Sequence, residues 1–106
     1  MTSSFKVIEP TGILDSTQSE VFRKAVDEAL AENYEIILID LKKTTFIDSS
    51  GLGSLVMVLK KVRSADRKLY ICCINDQVRM LFDLTGMNQV FAVLADRAEF
   101  EAKVLS

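Results

Sequence analysis

Histidine is absent from the sequence. Without it the chain can form neither a Ser-His-Asp nor a Cys-His catalytic relay, and a zinc site with histidine ligands is excluded. The side chain that most often serves acid–base catalysis near neutral pH is missing as well. The phosphate-binding patterns Gly-x-Gly-x-x-Gly and Gly-x-x-x-x-Gly-Lys-Ser/Thr are also absent. We therefore expect a protein that is not an enzyme and that needs no metal or other cofactor.

A surplus of basic residues and a long hydrophobic segment are lacking too. Lys and Arg total 13 against 15 Asp and Glu, which argues against a nucleic-acid-binding protein. The uncharged, largely apolar stretch from Ser49 to Leu59 is about half of what a membrane span needs. The first residues show no apolar segment typical of a signal peptide. We expect a cytoplasmic protein that binds neither nucleic acid nor membrane and is a monomer when free.

Only two cysteines are present, and they are adjacent: Cys72 and Cys73. On a strand, neighbouring side chains point to opposite faces, so a disulfide between them would be strained. We interpret them as small apolar core residues in a reducing compartment.

Hydrophobic periodicity predicts strands that alternate with helices along all 106 residues. This predicts one α/β domain, 1–106, with a mostly parallel four-stranded (mixed) sheet and about four helices. The predicted strands are Phe5–Glu9, Glu35–Leu41, Leu69–Ile74 and Val90–Leu94. The first predicted helix follows Asp15, and the second runs from Ser50 to about Ala65. The third runs from Gln77 to Thr85 and is capped by Gly86, and the fourth follows Asp96.

The periodicity also predicts which helix faces are buried. In the first helix, Thr17 and Glu20 fit a capping box. Its inward face is predicted to comprise Val21, Phe22, Ala25, Val26, Ala29 and Leu30. The inward face of the second helix is predicted to comprise Leu52, Leu55, Val56, Leu59 and Val62.

Loops at the carboxyl ends of parallel strands meet at one sheet edge, where binding sites form. That edge should collect residues 11–15, 44–50 and 75–77. The middle loop leads into a helix whose first turn contains Gly51 and Gly53, although glycine costs about 1 kcal/mol there relative to alanine. Glycine at these positions indicates close approach of another backbone, a partner surface or a bulky group.

Two hydroxyl side chains, Ser49 and Ser50, occupy the start of the same helix. One of them could simply be the N-cap. Alternatively, one caps and the other is exposed for modification, because a helix N-terminus tolerates an added phosphate.

A strip on the opposite face of this helix combines Met57 with Ser50, Gly53, Ser54 and Lys61. A single exposed apolar residue can be incidental. The functional interpretation is that the small residues let a partner approach, while Met57 anchors it and Lys61 adds a charge at the rim.

The segment Phe46-Ile47-Asp48-Ser49-Ser50-Gly51-Leu52-Gly53 resembles the signature of bacterial anti-sigma factor antagonists of the STAS domain family. Three further segments resemble blocks of that family at matching spacing: Gly12-Ile13-Leu14-Asp15, Ile39-Asp40-Leu41 and the run from Val78 to Met87. Together they cover nearly the whole chain from about Phe5.

The resemblance implies a switch. In the family, a partner anti-sigma factor with ATP-dependent serine kinase activity phosphorylates the serine after the aspartate, here Ser49, with Ser50 as the alternative. The unmodified protein binds that partner and frees a sigma factor, and a metal-dependent serine phosphatase resets it. By motif position, Asp15 is expected to contact the partner. Helix geometry, independently of the resemblance, adds the strip of Ser50, Gly53, Ser54, Met57 and Lys61. The expected partner-binding set also includes Asp48 and Gly51. The alternative is a STAS docking module in a stress-signalling or transporter-associated complex, outside any sigma pathway.

Overall fold

The protein is described by a computed structural model that covers residues 4–105. Its strands are β1 (Phe5–Ile8), β2 (Gly12–Leu14), β3 (Ile36–Asp40), β4 (Thr44–Ile47), β5 (Lys68–Cys72) and β6 (Val93–Leu94). Its α-helices are α1 (Ser16–Ala31), α2 (Ser49–Ser64), α3 (Asp76–Thr85) and α4 (Arg97–Phe100). A 3₁₀ turn covers Met87–Gln89, and a π-helical turn covers Glu101–Leu105. Residues 1–3 and 106, which the domain prediction includes, lie outside the described residues.

Four strands form the main sheet in the order β1-β3-β5-β6. Every pairing in this sheet is parallel, so the predicted fold class is confirmed, and the sheet is wholly parallel rather than mixed within residues 4–105. All five residues of β3 are buried, because the sheet is covered on both faces. Helices α1, α2 and α3 pack on one face, and Phe100 and Val104 of the C-terminal segment pack on the other.

A second, two-stranded sheet pairs β2 with β4, again in parallel. Both segments were predicted to be loops, and that prediction was wrong. Strands of three and four residues are too short for an alternation of apolar and polar residues to be recognised. Hydrogen bonds from residues distant in sequence hold this pair of strands in place. The Gly12 N–H donates to the Lys43 carbonyl at 2.9 Å, and the buried Thr44 hydroxyl donates to the Pro10 carbonyl at 2.8 Å.

The N-cap of helix α1 lies two residues before the one in the predicted capping box. Its N-cap is Asp15, whose Oδ1 accepts hydrogen bonds from the Thr17 and Gln18 N–H groups, so the assignment to Thr17 was wrong. Phe22, Val26 and Ala29 are buried as predicted, whereas Val21 is 66% exposed. The buried stripe is therefore rotated away from Val21 and towards Ser19.

Helix α2 packs against α1 as well as against the main sheet. Its buried face is consequently wider than the sequence predicted and includes Ser54 and Val58. Leu52, Leu55, Leu59 and Val62 are buried as expected, and Val56 is half-buried.

The third helix ends as predicted. Gly86 adopts the left-handed conformation with φ of 73°, and its N–H bonds back to the Asp83 carbonyl. Val78 and Phe82 are buried on the inward side.

No helix within residues 4–105 is both long and apolar enough to cross a membrane.

The two cysteines depart from their predicted arrangement. Strand β5 ends at Cys72, two residues earlier than expected, and Cys73 has a left-handed φ of 65°. This turn brings the two sulfur atoms to 3.3 Å, so they do not lie on opposite faces of a strand, and both thiols are free. The pKa of both thiols is raised, mainly because the two side chains are buried. Both thiols are therefore protonated near neutral pH.

Candidate functional site

The three segments predicted to meet at one edge, 11–15, 44–50 and 75–77, do lie together, although the first two contain β2 and β4. The Asp48 N–H donates to the Leu14 carbonyl at 3.4 Å, which joins the residue after β4 to the end of β2. The Asn75 amide donates to the Thr44 and Thr45 carbonyls at 3.2 and 3.1 Å, which joins the loop after β5 to β4. This assembly places the N-termini of α1, α2 and α3 along one edge.

Each of these helices starts with a side-chain cap: Asp15, Asp48 and Asn75. Asp48 Oδ1 accepts from the Gly51 N–H at 2.8 Å, and Asn75 Oδ1 accepts from the Val78 N–H at 2.9 Å. Hydrogen bonds from the Thr17 hydroxyl and from backbone N–H groups lower the pKa of Asp15 against the opposing effect of burial. Asp15 is therefore a carboxylate at neutral pH.

Neither serine at the start of α2 is its N-cap, because Asp48 fills that position. Ser49 and Ser50 are the first two residues of the helix, and both are exposed. The prediction that one of them caps the helix was therefore wrong, although both hydroxyls are presented at its N-terminus.

Gly51 is buried where α2 crosses the end of β2. A Cβ atom built on Gly51 would overlap with the carbonyl oxygen of Leu14 and would lie 3.1 Å from Cγ2 of Ile47. The sequence left three explanations for glycine at this position: another backbone, a partner surface or a bulky group close by. The backbone of β2 in the same chain is the one that applies to Gly51. Gly53 differs, since a Cβ there would have no neighbour within 4 Å.

An open depression lies between the first turns of α1 and α2. Ser16, Ser19 and Arg23 line it from α1, while Ser50, Gly53, Ser54 and Met57 line it from α2. Met57 is 49% exposed, as the helical geometry predicted. Ser54 does not belong to an exposed strip, because it is buried and donates to the Ser50 carbonyl at 3.2 Å.

Lys61 is exposed on the same side but has a partner inside the chain. Its Nζ atom lies 2.8 Å from Oδ1 of Asp27 on α1. This ion pair ties α1 to α2 below the depression.

An exposed apolar pair at this edge was not predicted from the sequence. Ile13 of β2 and Phe46 of β4 are register partners and are 53% and 45% exposed. The alternation of outward Ile13 and Phe46 with buried Leu14 and Ile47 was the available signal, but it extends over too few residues to indicate strands.

A second missed feature is the side chain of Gln77, in the first turn of α3. Its Oε1 accepts from the Ile47 N–H at 2.9 Å, and its Nε2 donates to the Ile47 carbonyl at 3.0 Å. Gln77 thus fixes the backbone immediately before Asp48 and Ser49.

Comparison with known proteins shows which family the chain is similar to. The sequence model of the STAS domain matches residues 2–101. The chain is 30% identical over 88 residues to the anti-sigma F factor antagonist of Paenibacillus polymyxa, covering 82% of this chain and 75% of the relative. It is also 35% identical to the anti-sigma-B factor antagonist of Staphylococcus aureus. That alignment of 57 residues covers 54% of this chain and 53% of the relative.

Solved structures show the same fold. The anti-sigma factor antagonist SpoIIAA in its unphosphorylated form superposes with a TM-score of 0.77 at 19% identity, covering 96% of this chain and 90% of that one. The phosphorylated form of SpoIIAA, a cell fate determinant of Bacillus, superposes with a TM-score of 0.70 at 18% identity, covering 96% and 93%. The fold, the matched residues and the relatives agree: the chain belongs to the STAS domain family, with relatives that are anti-sigma factor antagonists.

Proposed function

We propose that this chain is an anti-sigma factor antagonist that is switched by phosphorylation of Ser49. Unmodified, it binds an anti-sigma factor that is also a serine kinase, and phosphorylation by that kinase releases it. A metal-dependent serine phosphatase then restores the binding form, all in the cytoplasm. The observation that carries the proposal is the exposed hydroxyl of Ser49 in the first turn of α2, which is free because Asp48 caps the helix.

The electrostatics of this edge favour release on phosphorylation. A phosphate adds about −1.5 to −2 charges. At Ser49 it would follow Asp48, whose N–H bonds to Leu14, the residue directly before Asp15. The helix N-terminus offsets part of the added charge, so the fold should tolerate it. A docking partner would instead meet a concentrated negative patch that also takes up space.

The surface around Ser49 offers contacts of suitable chemistry. The depression between α1 and α2 combines the small residues Ser50 and Gly53 with exposed Met57, which can adapt to a partner. Exposed Ile13 and Phe46 add an apolar pair from β2 and β4. Asp15 lies at the start of α1, and Arg23 adds a positive charge beside the depression. Gly51 and Ser54 support this surface from below, since both are buried.

The relatives supply independent support. Two of them are named antagonists of anti-sigma factors, and SpoIIAA is known in an unphosphorylated and a phosphorylated form. Under the proposal the phosphoryl donor and the catalytic groups belong to the kinase. This chain then acts as a binding module, not as an enzyme.

Phosphosite mapping tests the assignment of the serine. The protein is incubated with ATP and each candidate anti-sigma factor kinase from the same genome, and the product is mapped by mass spectrometry. Ser49→Ala should abolish incorporation of phosphate, and the matched control Ser50→Ala should retain it. Phosphate on Ser50 in the wild-type chain would contradict the assignment of Ser49. A chain that no candidate kinase modifies would favour a docking module outside the sigma pathway.

A further inference from the structure

A separate cluster lies at the carboxyl ends of β3 and β5, away from the depression between α1 and α2. Asp40 and Cys72 end these strands and are register partners. Asp40 is 3% exposed and Cys72 is completely buried, while Cys73 is partly exposed to solvent. Because Cys73 turns back with positive φ, both sulfur atoms point to the side of the carboxylate.

We propose that Asp40, Cys72 and Cys73 form a binding site for a divalent metal ion that prefers sulfur ligands, of which zinc is the representative. One carboxylate oxygen and the two sulfur atoms all lie within 4.8 Å of one another. Cysteine thiolates and carboxylate oxygens are both zinc ligands, and a site with three protein ligands leaves the fourth position for water. The partly exposed side of Cys73 gives the ion and that water a route from solvent.

The geometry needs only a small adjustment. Zinc–sulfur bonds of about 2.3 Å at a tetrahedral angle hold two sulfur atoms roughly 3.8 Å apart. The sulfur atoms of Cys72 and Cys73 are now 3.3 Å apart, joined by a hydrogen bond from one thiol to the other. Replacing that hydrogen bond by two metal–sulfur bonds opens the pair by about half an ångström, which side-chain rotation can supply.

The charges around the cluster fit a bound dication. Binding releases both thiol protons to solvent, so the ion is held by two thiolates and one carboxylate, which leaves one negative charge. Arg97 balances it, since its Nη1 atom lies 3.8 Å from Oδ2 of Asp40. The other carboxylate beside Cys73 is Asp96, and its Oδ1 accepts from the Glu99 N–H at 2.8 Å.

Arg97 gives a second indication. Its Nε atom is buried and has no hydrogen-bond partner among residues 4–105. A buried donor without an acceptor is costly, and a metal-bound thiolate accepts hydrogen bonds more strongly than a neutral thiol does. Loading the site would therefore turn Cys72, which already interacts electrostatically with Arg97, into a better acceptor.

The test is a Co²⁺ titration of the full chain after reduction and removal of metal by a chelator. We expect one Co²⁺ per chain, an absorption band for charge transfer from sulfur to cobalt, and displacement of Co²⁺ by Zn²⁺. Cys73→Ser, at a partly exposed position, should weaken binding at least about tenfold and lose much of the band. Asp40→Asn keeps an acceptor for the Lys42 N–H and should weaken binding as well.

The matched control is Asp76→Asn, which removes an exposed carboxylate outside the cluster and should leave the titration unchanged. A wild-type chain without the sulfur band overturns the proposal, as does Cys73→Ser with wild-type affinity. A ratio of one metal to two chains also overturns it, because the ligands would then come from two molecules. The proposal does not depend on the sigma-factor role, so either can fail alone.

Discussion

Single residues of the site divide into those that shape the backbone and those that face solvent. Gly51 has no room for a side chain, because the carbonyl group of Leu14 crosses it. Gly53, two positions on, faces open space. Asp48 caps α2 and thereby leaves Ser49 free. The Asp-Ser-Ser-Gly segment therefore combines a packing requirement at Gly51 with an available hydroxyl at Ser49.

The two glycines should respond oppositely to alanine. Gly51→Ala forces the end of β2 away from α2 and should lower the free energy of unfolding by about 1–3 kcal/mol or more. Gly53→Ala is the matched control, since alanine in an exposed helical position should raise that free energy by up to about 1 kcal/mol. Urea unfolding of both variants measures the difference. A stable Gly51→Ala would mean that the contact between α2 and β2 is looser than described.

At the scale of elements, the position of Ser49 depends on β4 and on what holds it. The strand pairs on one side with β2, and on the other it is bound by the first turn of α3. Gln77 bonds both polar backbone groups of Ile47, one residue before the cap of α2. The helix start is therefore positioned by three elements rather than by its own sequence.

Removing the Gln77 amide should loosen this strand. In Gln77→Ala the N–H and carbonyl of Ile47 lose their partners, and leaving such groups unpaired costs about 1–3 kcal/mol. The Ile47 amide should then exchange with deuterium at least about tenfold faster. Gln89→Ala, at an exposed position in the 3₁₀ turn, should leave that exchange rate unchanged. Equal rates in the two variants would show that the β2 pairing alone holds β4.

The exposed side of α2 belongs to the same scale. Met57→Ala should change the free energy of unfolding by less than about 1 kcal/mol, because half of this side chain is already in solvent. Affinity for the anti-sigma factor should fall by about 1–2 kcal/mol. Leu84→Ala in the last turn of α3, which is 79% exposed, is the control and should bind normally. Calorimetry measures the affinity, and a thermal melt measures the stability. A loss of stability as large as that expected for a buried side chain would contradict the surface role of Met57.

The elements differ in how far the sequence predicts them. Strand β3, helices α1 and α2 and the Gly86 cap have strong local patterns and were predicted. The sheet of β2 and β4 was missed because three or four residues cannot establish a period, and its hydrogen bonds come from distant residues. The exact cap was missed because Asp and Ser both serve as N-caps, so the choice depends on where β4 ends. Burial of Ser54 and Val58 was missed because a helix that packs on two neighbours buries more than one stripe.

On the scale of the whole molecule, the two parallel sheets together direct three helix N-termini to one edge. Asp15, the cap of α1, therefore comes to the start of α2, where Asp48 and the proposed phosphoserine lie, although Asp15 is distant from them in sequence. The chain carries a net charge of −2, so added phosphate is not balanced by a general positive excess. The predicted effect is local: binding changes at this edge while the fold remains.

The most direct test is a calorimetric titration of the cognate anti-sigma factor with wild-type chain, Ser49→Ala, Ser49→Asp and Ser50→Asp. Wild type and Ser49→Ala should bind with similar affinity. Ser49→Asp should bind about ten- to a hundredfold more weakly, which corresponds to roughly 1.4–2.8 kcal/mol, with an unchanged melting profile. Ser50→Asp should bind more tightly than Ser49→Asp. Wild-type affinity for Ser49→Asp, with loss of binding only in Ser50→Asp, would contradict the assignment of Ser49 as the switch.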